Sequence, residues 1–243
     1  MRHLKSMKVL VIGATGGIGS AVARRLAKRG AEVVVAARNP ERLAALGEEI
    51  DARCVAVDAA DFEALEAATA PLAPLDGLVN CAGSLLLKPA HLTPEREFRE
   101  TIESSLTTAF SAVRAGTKAM MPGGGSIVLC ATAAARVGLP NHEAIAAAKG
   151  GVIGLALSAA ATYAPRNIRV NCVAPGLIDT PLAARITSNE AALRASVAMH
   201  ALGRIGRAEE VASAICWLLE RENSWITGQI LGVDGGLASV RTR

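Results

Sequence analysis

Aromatic residues are scarce in this sequence. They make up 2% of its 243 residues, with two Trp, one Tyr and three Phe. This scarcity argues against a nucleic-acid groove in which bases stack on aromatic rings. The net charge is +4 at pH 7, but the Lys and Arg residues are scattered rather than grouped, which is typical of a solvated surface. We therefore expect no nucleic-acid partner.

The sequence has no CxxC pair, and we do not expect its first residues to be a secretory leader. The start, MRHLKSM, lacks an apolar core, and the uncharged stretches 119–135 and 150–165 are too polar or too broken by Gly, Pro, Ser and Thr to span a bilayer. An odd number of thiols without a CxxC motif favours free, buried cysteines in a reducing compartment over disulfides or a metal site. We expect a cytoplasmic protein with no membrane partner and no metal. The cysteines are Cys54, Cys81, Cys130, Cys172 and Cys216.

Apolar residues, in contrast, are abundant, at 51% of the chain. Short β-branched runs without polar alternation alternate with Ala-rich amphipathic segments, which predicts βαβ units and strands buried on both faces. We expect one α/β domain over residues 1–243, a doubly wound parallel sheet with helices on both faces. The excursion at 181–203, with no strand, is typical of a loop over a substrate. The predicted strands are 8–13, 32–37, 54–58, 77–83, 126–131, 168–176 and 229–236, and the predicted helices are 17–29, 41–49, 95–121, 142–164 and 208–220.

A glycine-rich turn, GATGGIG, joins the first predicted strand to the first helix. Gly13, Gly17 and Gly19 follow the pattern GxxxGxG, and Thr15 adds a hydroxyl. Glycine lets backbone N–H groups approach a pyrophosphate, and the helix presents its positive end to it. A glycine pattern alone is weak, but this one closes the first strand of an α/β chain, where a dinucleotide site requires it.

The second predicted strand ends in AARNPERL. An acidic residue here would bind a free ribose 2′-hydroxyl, but the chain offers Ala37 and then Arg38. A guanidinium matches a 2′-phosphate through charge-assisted bonds, so we expect NADP(H) to be preferred over NAD(H). The alternative is a solvated Arg with no role in binding.

With these motifs, the chain resembles the short-chain dehydrogenase/reductase family nearly end to end. The resemblance rests on GATGGIG, VDAAD, NCAG at 80–83, IRVNCVAPG and ITGQILGVDGG, in order and at similar spacing. It implies a seven-stranded Rossmann domain, a homotetramer and hydride transfer to a small-molecule substrate. The cofactor contacts that we predict are Gly13, Thr15, Gly17, Ile18, Gly19, Arg38, Asp58, Asn80, Ala82, Gly83, Lys149, Pro175, Gly176, Ile178 and Thr180.

The family's Asn-Ser-Tyr-Lys site is degenerate in this sequence. By resemblance, Ser105 stands at the Asn position, Thr132 at the Ser position and Ile145 at the position of the Tyr that acts as general acid or base. Lys149 is retained. Thr132 keeps a hydroxyl, whereas Ile145 cannot carry a proton. The resemblance assigns Lys149 to the nicotinamide ribose and Thr132 to the substrate oxygen.

His142 is the strongest candidate on the predicted helix to replace the missing acid, and Glu143, about 100° around the helix, is a weaker one. Residues 142, 145 and 149 share a helix face, and some enoyl reductases of this family carry their Tyr seven residues before the Lys. Histidine also carries protons near neutral pH. The alternative is a solvated or capping histidine at a helix start. We list Lys149, Thr132, His142 and Ser105 as candidate catalytic residues.

Two functions fit these features. The first is an NADP(H)-dependent oxidoreductase with an atypical site, acting on a small carbonyl or enoyl substrate. The second is an inactive NADP(H)-binding protein, acting as a redox sensor or partner subunit. Apolar outer faces on the helices at 95–121 and 142–164 favour a homo-oligomer, as a tetramer.

Overall fold

A seven-stranded parallel sheet forms the centre of the protein, in the computed structural model that describes residues 4–241. The strand order is β3-β2-β1-β4-β5-β6-β9, with a separate pair β7-β8. The strands are β1 (Lys8–Ile12), β2 (Glu32–Ala37), β3 (Arg53–Ala56), β4 (Gly77–Asn80), β5 (Gly125–Cys130), β6 (Ile168–Pro175), β7 (Ile178–Asp179), β8 (Gly206–Arg207) and β9 (Ile230–Val233). The predicted doubly wound α/β fold is confirmed.

Helices cover both faces of this sheet. One core lies between the sheet and α1 and α9, and the other lies between the sheet and α3, α5 and α6. The helices are α1 (Gly17–Lys28), α2 (Pro40–Ile50), α3 (Phe62–Thr69), α4 (Glu95–Ile102), α5 (Thr108–Met120), α6 (Glu143–Tyr163), α7 (Ala184–Thr187), α8 (Glu190–Met199) and α9 (Ala208–Leu219). The strand order reverses between β1 and β4, and dinucleotides bind at such a point.

Several predicted elements need correction. The helix expected over 95–121 is interrupted by a π-helical turn at Glu103–Thr107, and α3 was not predicted. Helix α6 begins at Glu143, so His142 lies before its first turn rather than within it. The outermost strands β3 and β9 are partly exposed, because each has a neighbour on one side only. The thiol of Cys54, on β3, belongs to an exposed residue for the same reason.

Helix α6 and the turn that follows it, Glu143–Arg166, are long and apolar enough to cross a bilayer by length and composition. The expectation that the 150–165 stretch is too broken is therefore wrong, because its glycines do not interrupt the helix. Core helices of α/β sheets meet the same criterion. Here α6 packs against β6 and α4 and buries Ala148, Val152 and Ala156, so we assign it to the core.

Candidate active site

The glycine turn lies at the switch point and contacts two other predicted cofactor segments. Gly13 has φ +74°, and a Cβ there would lie 2.6 Å from the Ala82 nitrogen. A Cβ at Gly17 would lie 2.5 Å from Thr180 Cγ2, and one at Gly19 would lie 2.2 Å from the Gly13 carbonyl oxygen. Each glycine is therefore required by a close approach of backbone or side chain.

Helix α1 begins inside this turn with open backbone donors. Its N-cap, Gly16, provides no side-chain hydrogen bond, and its first turn carries no acidic residue. Ile18 is partly buried against the core below. The N-terminal N–H groups and the positive end of the helix thus suit the pyrophosphate of a dinucleotide.

The end of β2 brings two arginines to the same corner. The N–H groups of Gly13 and Ala14 donate to the Ala36 oxygen, so the glycine turn lies against the strand that Arg38 follows. Arg38 is exposed. Arg42, on the first turn of α2, donates from Nη2 to the Thr15 oxygen at 2.9 Å. Arg42 is not among the predicted cofactor residues, although its place four residues after Arg38 is visible in AARNPERL.

Asp58 and Asn80 lie at the same edge of the sheet. Asp58 follows β3, and Asn80 is the last residue of β4. The Asp58 carboxylate accepts from the Ala60 N–H at 3.0 Å, shortly after β3. Asn80 is buried at the end of β4, and its side-chain oxygen accepts from the Ala82 N–H at 3.0 Å. Both residues shape the loops that border the predicted adenine and ribose sites.

Lys149 is buried at the floor of the site, where it links two strand ends. Its Nζ donates to the Cys130 oxygen at 2.8 Å and to the Ala82 oxygen at 3.3 Å. Within residues 4–241, no carboxylate forms an ion pair with it. Burying an ammonium without a counter-charge is costly, so this position favours negative charge nearby.

Gly83 separates Lys149 from Ser105. A Cβ on Gly83 would lie 2.9 Å from Lys149 Nζ and 3.6 Å from Ser105 Oγ. Ser105 is fully buried in the π-helical turn, and its hydroxyl has no hydrogen-bond partner among residues 4–241. Buried hydroxyls are rarely left unpaired, and π-helical turns are frequent at functional sites. The structure thus places Ser105 and Lys149 on either side of Gly83, and their catalytic roles stay predictions.

Thr132 and Ile145 complete the site above Lys149. The Thr132 hydroxyl accepts from the Ala134 N–H at 3.4 Å and donates to the Pro175 oxygen at 3.5 Å, both at the long limit of a hydrogen bond. Ile145 is 3% exposed, one turn before Lys149 on α6. An apolar side chain therefore fills the position of the family's acid.

His142 is half-buried beside the site. Its Nδ1 lies 2.7 Å from the Pro140 oxygen. That contact orients the ring from outside α6 and leaves only Nε2 for another partner. The helical geometry from which we selected His142 is therefore wrong, while its catalytic role stays a prediction.

Two thiols, Cys81 and Cys130, border Lys149. Removal from water raises the pKa of both thiols, and the positive charge of Lys149 partly opposes this. Burial also raises the pKa of Cys172 and of Cys216 to about 12. Thiols with raised pKa values are poor nucleophiles, so none of these four is suited to covalent catalysis.

Comparison with known proteins agrees with this geometry. A family model described as enoyl-(acyl carrier protein) reductase matches residues 13–238. A 2,5-dichloro-2,5-cyclohexadiene-1,4-diol dehydrogenase of Sphingobium indicum is 36% identical, over 99% of this chain and all of that protein. A cis-4-hydroxycyclohexanecarboxylate dehydrogenase of Sinomonas cyclohexanicum is 39% identical, over 95% of this chain and 96% of that protein.

The chain belongs to the short-chain dehydrogenase/reductase family. A solved short-chain dehydrogenase/reductase of Mycobacterium ulcerans has a TM-score of 0.93 and 29% identity, covering 98% of this chain and 91% of its own. This is a family of oxidoreductases that bind a nicotinamide cofactor, and the matched dehydrogenases act on small molecules. The glycine turn, the open end of α1 and the exposed Arg38 all fit such a cofactor.

Proposed function

We propose that this short-chain dehydrogenase/reductase is a cytoplasmic NADP(H)-dependent oxidoreductase that reduces a conjugated C=C bond in a small carbonyl or enoyl compound. One observation carries the proposal. The site holds a buried ammonium, Lys149, with no carboxylate partner among residues 4–241, and an apolar Ile145 where a proton donor is expected. Such a site can stabilise a negative oxygen but cannot protonate one from that position.

The missing acid decides between substrates. A simple ketone becomes a localised alkoxide, and loss of a general acid costs about 10²–10⁴ in rate. A conjugated carbonyl compound becomes a delocalised enolate, which mainly needs donors at its oxygen. Thr132 supplies a hydroxyl with weak existing hydrogen bonds, and Lys149 supplies a positive charge.

Nicotinamide chemistry and protein side chains have separate tasks in this reaction. The glycine turn, Arg38 and Lys149 would hold the nicotinamide cofactor, which would supply the hydride for the β-carbon of the substrate. The negative charge would then develop at the carbonyl oxygen of the substrate. Thr132 and Lys149 would stabilise the negative charge at that oxygen, and Ile145 cannot donate a proton to it. A proton from solvent completes the product at the α-carbon. His142 is a second possible source of that proton.

Relatives suggest the shape of the substrate. The two matched dehydrogenases are named for six-membered alicyclic alcohols, and exposed apolar side chains line the segments that follow β4 and β7. We infer a small apolar or alicyclic compound. These side chains are Leu85, Leu87, Leu92 and Leu182.

A non-catalytic role is the second candidate. It is favoured by the hydrogen bonds that Lys149 already makes to two backbone carbonyls, which hold the ammonium without any substrate. In that case the protein binds NADP(H) and acts as a redox sensor or a partner subunit.

Restoring the acid separates the two candidates. We expect the native protein to oxidise NADPH with enones or enoyl thioesters, but not with simple ketones. Ile145→Tyr combined with Ser105→Asn should gain ketone reduction, by up to about 10²–10⁴, because a phenol then lies one turn before Lys149. Steady-state NADPH consumption measures the activity of the native protein and of the double variant with each class of substrate.

Ile145→Phe is the matched control, because it adds the ring without the hydroxyl and should gain nothing. If His142 is the working acid, His142→Ala should abolish the native activity, and Ile145→Tyr should hinder it by filling the pocket. If neither native nor restored protein oxidises NADPH while both bind it, the binding-protein candidate is correct.

A further inference from the structure

His200 lies buried between three segments that border the predicted nicotinamide site. It directly follows α8 and is 4% exposed. Its ring packs between the loop after β6 and the loop after β9. His200 is not among the predicted site residues, because a histidine within the 181–203 excursion belongs to no motif.

Both ring nitrogens of His200 are engaged by the backbone. The Leu177 N–H donates to Nε2 at 3.1 Å, and Nδ1 lies 2.7 Å from the Ser196 oxygen. Since Nε2 accepts, the proton belongs on Nδ1, which donates to Ser196. One neutral tautomer thus satisfies both contacts.

Glycines make room for this ring on two sides. A Cβ at Gly176 would lie 2.6 Å from His200 Nε2, and a Cβ at Gly235 would lie 3.6 Å from its Cβ and Cδ2. Gly176 also donates to the Val233 oxygen at 3.2 Å. The loop after β6 therefore lies directly against the imidazole, and a larger residue at 176 would displace it.

The two backbone partners belong to different functional segments. Leu177 lies between Gly176 and Ile178, in the loop predicted to face the nicotinamide. Ser196 lies on α8, in the excursion predicted to hold the substrate. The Leu177 carbonyl is held separately by the Gly206 N–H at 2.9 Å, so only its N–H depends on a side chain.

We propose that His200 is a positioning residue that couples the nicotinamide-facing loop at 175–180 to the substrate helix α8. The proposal rests on the NADP(H) site proposed above. Through the imidazole, α8 fixes the loop that receives the nicotinamide, and an ordered loop in turn holds α8 at the edge of the site. His200 contacts neither ligand itself.

Comparing a whole cofactor with its adenine half tests this coupling. Adenosine 2′,5′-bisphosphate reaches the Arg38 corner but carries no nicotinamide, so its affinity should be independent of His200. His200→Leu leaves the Leu177 N–H without an acceptor and should weaken NADPH binding about 5- to 150-fold. The bisphosphate affinity should stay within about twofold. Calorimetry measures both dissociation constants.

Two conservative variants sharpen the result. His200→Gln keeps an acceptor near the position of Nε2 for the Leu177 N–H, so it should retain most of the NADPH affinity. His200→Asn keeps only a donor near the position of Nδ1 for the Ser196 oxygen, so its NADPH affinity should be as weak as that of His200→Leu. Asn171→Leu is the structural control. It removes another fully buried side chain, which links β6 to the backbone of Ile226 and Gln229, and should lower stability without separating the two affinities.

The outcomes are distinguishable from failure of the proposed function. Equal losses for both ligands, or no loss for either, overturn the coupling alone. If the native protein binds neither ligand, the proposed function fails and the coupling with it. If His200→Leu does not fold, amide hydrogen exchange on the native protein tests the coupling instead. NADPH should slow exchange in 176–180 and in 190–199 together, and protection of 176–180 alone would overturn the proposal.

Discussion

At the scale of single residues, this chain departs from the family pattern at the positions that would donate or relay a proton. Ile145 removes the acid, and Ser105 replaces an amide with a buried hydroxyl that has no hydrogen-bond partner in the described part of the chain. Gly13, Gly17 and Gly19 of the cofactor turn match the family pattern, and a Cβ at any of the three would lie within 2.6 Å of another atom. This contrast explains why the cofactor side could be predicted with more detail than the catalytic side.

Cofactor choice is a property of Arg38. We expect NADPH to bind more tightly than NADH by about 1–3 kcal/mol, the usual contribution of hydrogen bonds to charged groups. Arg38→Asp should reverse the preference, because a carboxylate repels the 2′-phosphate and accepts from a free 2′-hydroxyl. Titration with both cofactors measures the ratio.

Arg53→Asp is a suitable control for this prediction. It changes the net charge equally, but Arg53 begins β3 at the opposite end of the strands from the cofactor turn. Its cofactor ratio should match that of the native protein. Equal affinities of NADPH and NADH for the native protein would contradict the assignment of Arg38.

At the scale of elements, long apolar runs were predictable and local interruptions were not. Strands β1 and β2 are buried runs that the sequence predicts to within a residue. The π-helical turn around Ser105 was not predictable, because its residues continue the helical pattern. Helix α3 could have been found, since Asp61 caps it by accepting from the N–H groups of Glu63 and Ala64.

At the junction of β1 and α1, Gly19 lies so close to the carbonyl oxygen of Gly13 that there is no room for a side chain. Gly19→Ala would place a Cβ 2.2 Å from the Gly13 oxygen, so either α1 or the turn must move. We expect a loss of about 1–3 kcal/mol in the free energy of unfolding, together with loss of NADPH binding. Urea denaturation and calorimetry test the two effects.

Gly16→Ala is the control within the same turn. Its nearest contact would be 3.3 Å, again to the Gly13 oxygen, and its φ of −79° suits any L-residue. Its free energy of unfolding should stay close to that of the native protein. Equal losses of unfolding free energy for Gly16→Ala and Gly19→Ala would contradict this prediction. They would show that the short distance between a Cβ at residue 19 and the Gly13 oxygen is not what destabilises the protein.

At the scale of the whole molecule, two groups of exposed apolar side chains lie outside the segments assigned to the substrate. The first, which we call the helical face, comprises Phe98, Phe110 and Leu157 on α4, α5 and α6, and each is 42–50% exposed. The second, which we call the edge face, comprises Trp217 on α9 and Trp225 beside β9. Trp225 is 99% exposed, and β9 has an unpaired edge in the described sheet.

Two such faces favour a tetramer over a dimer. Large exposed aromatic side chains and open strand edges are usually covered by a partner, and one isologous contact would cover only one face. Two independent two-fold contacts, one per face, build four subunits with both faces covered. We therefore propose that the protein is a homotetramer. The apolar outer faces of the predicted helices indicated the helical face. The edge face was not predicted, because burial of β9 on both faces of the sheet does not show that the strand lies at its edge.

Breaking one face at a time tests this assembly. Leu157→Arg, on the helical face, and Trp225→Arg, on the edge face, should each convert tetramers into dimers, because a buried guanidinium without a partner is costly. The double variant should be monomeric. Light scattering at micromolar concentration measures the mass of each variant.

Leu182→Arg is the matched control, because Leu182 is 58% exposed but lies in the substrate excursion. The mass of this variant should equal that of the native protein. A native monomer would contradict the tetramer outright, and a native dimer that only Trp225→Arg dissociates would restrict assembly to the edge face.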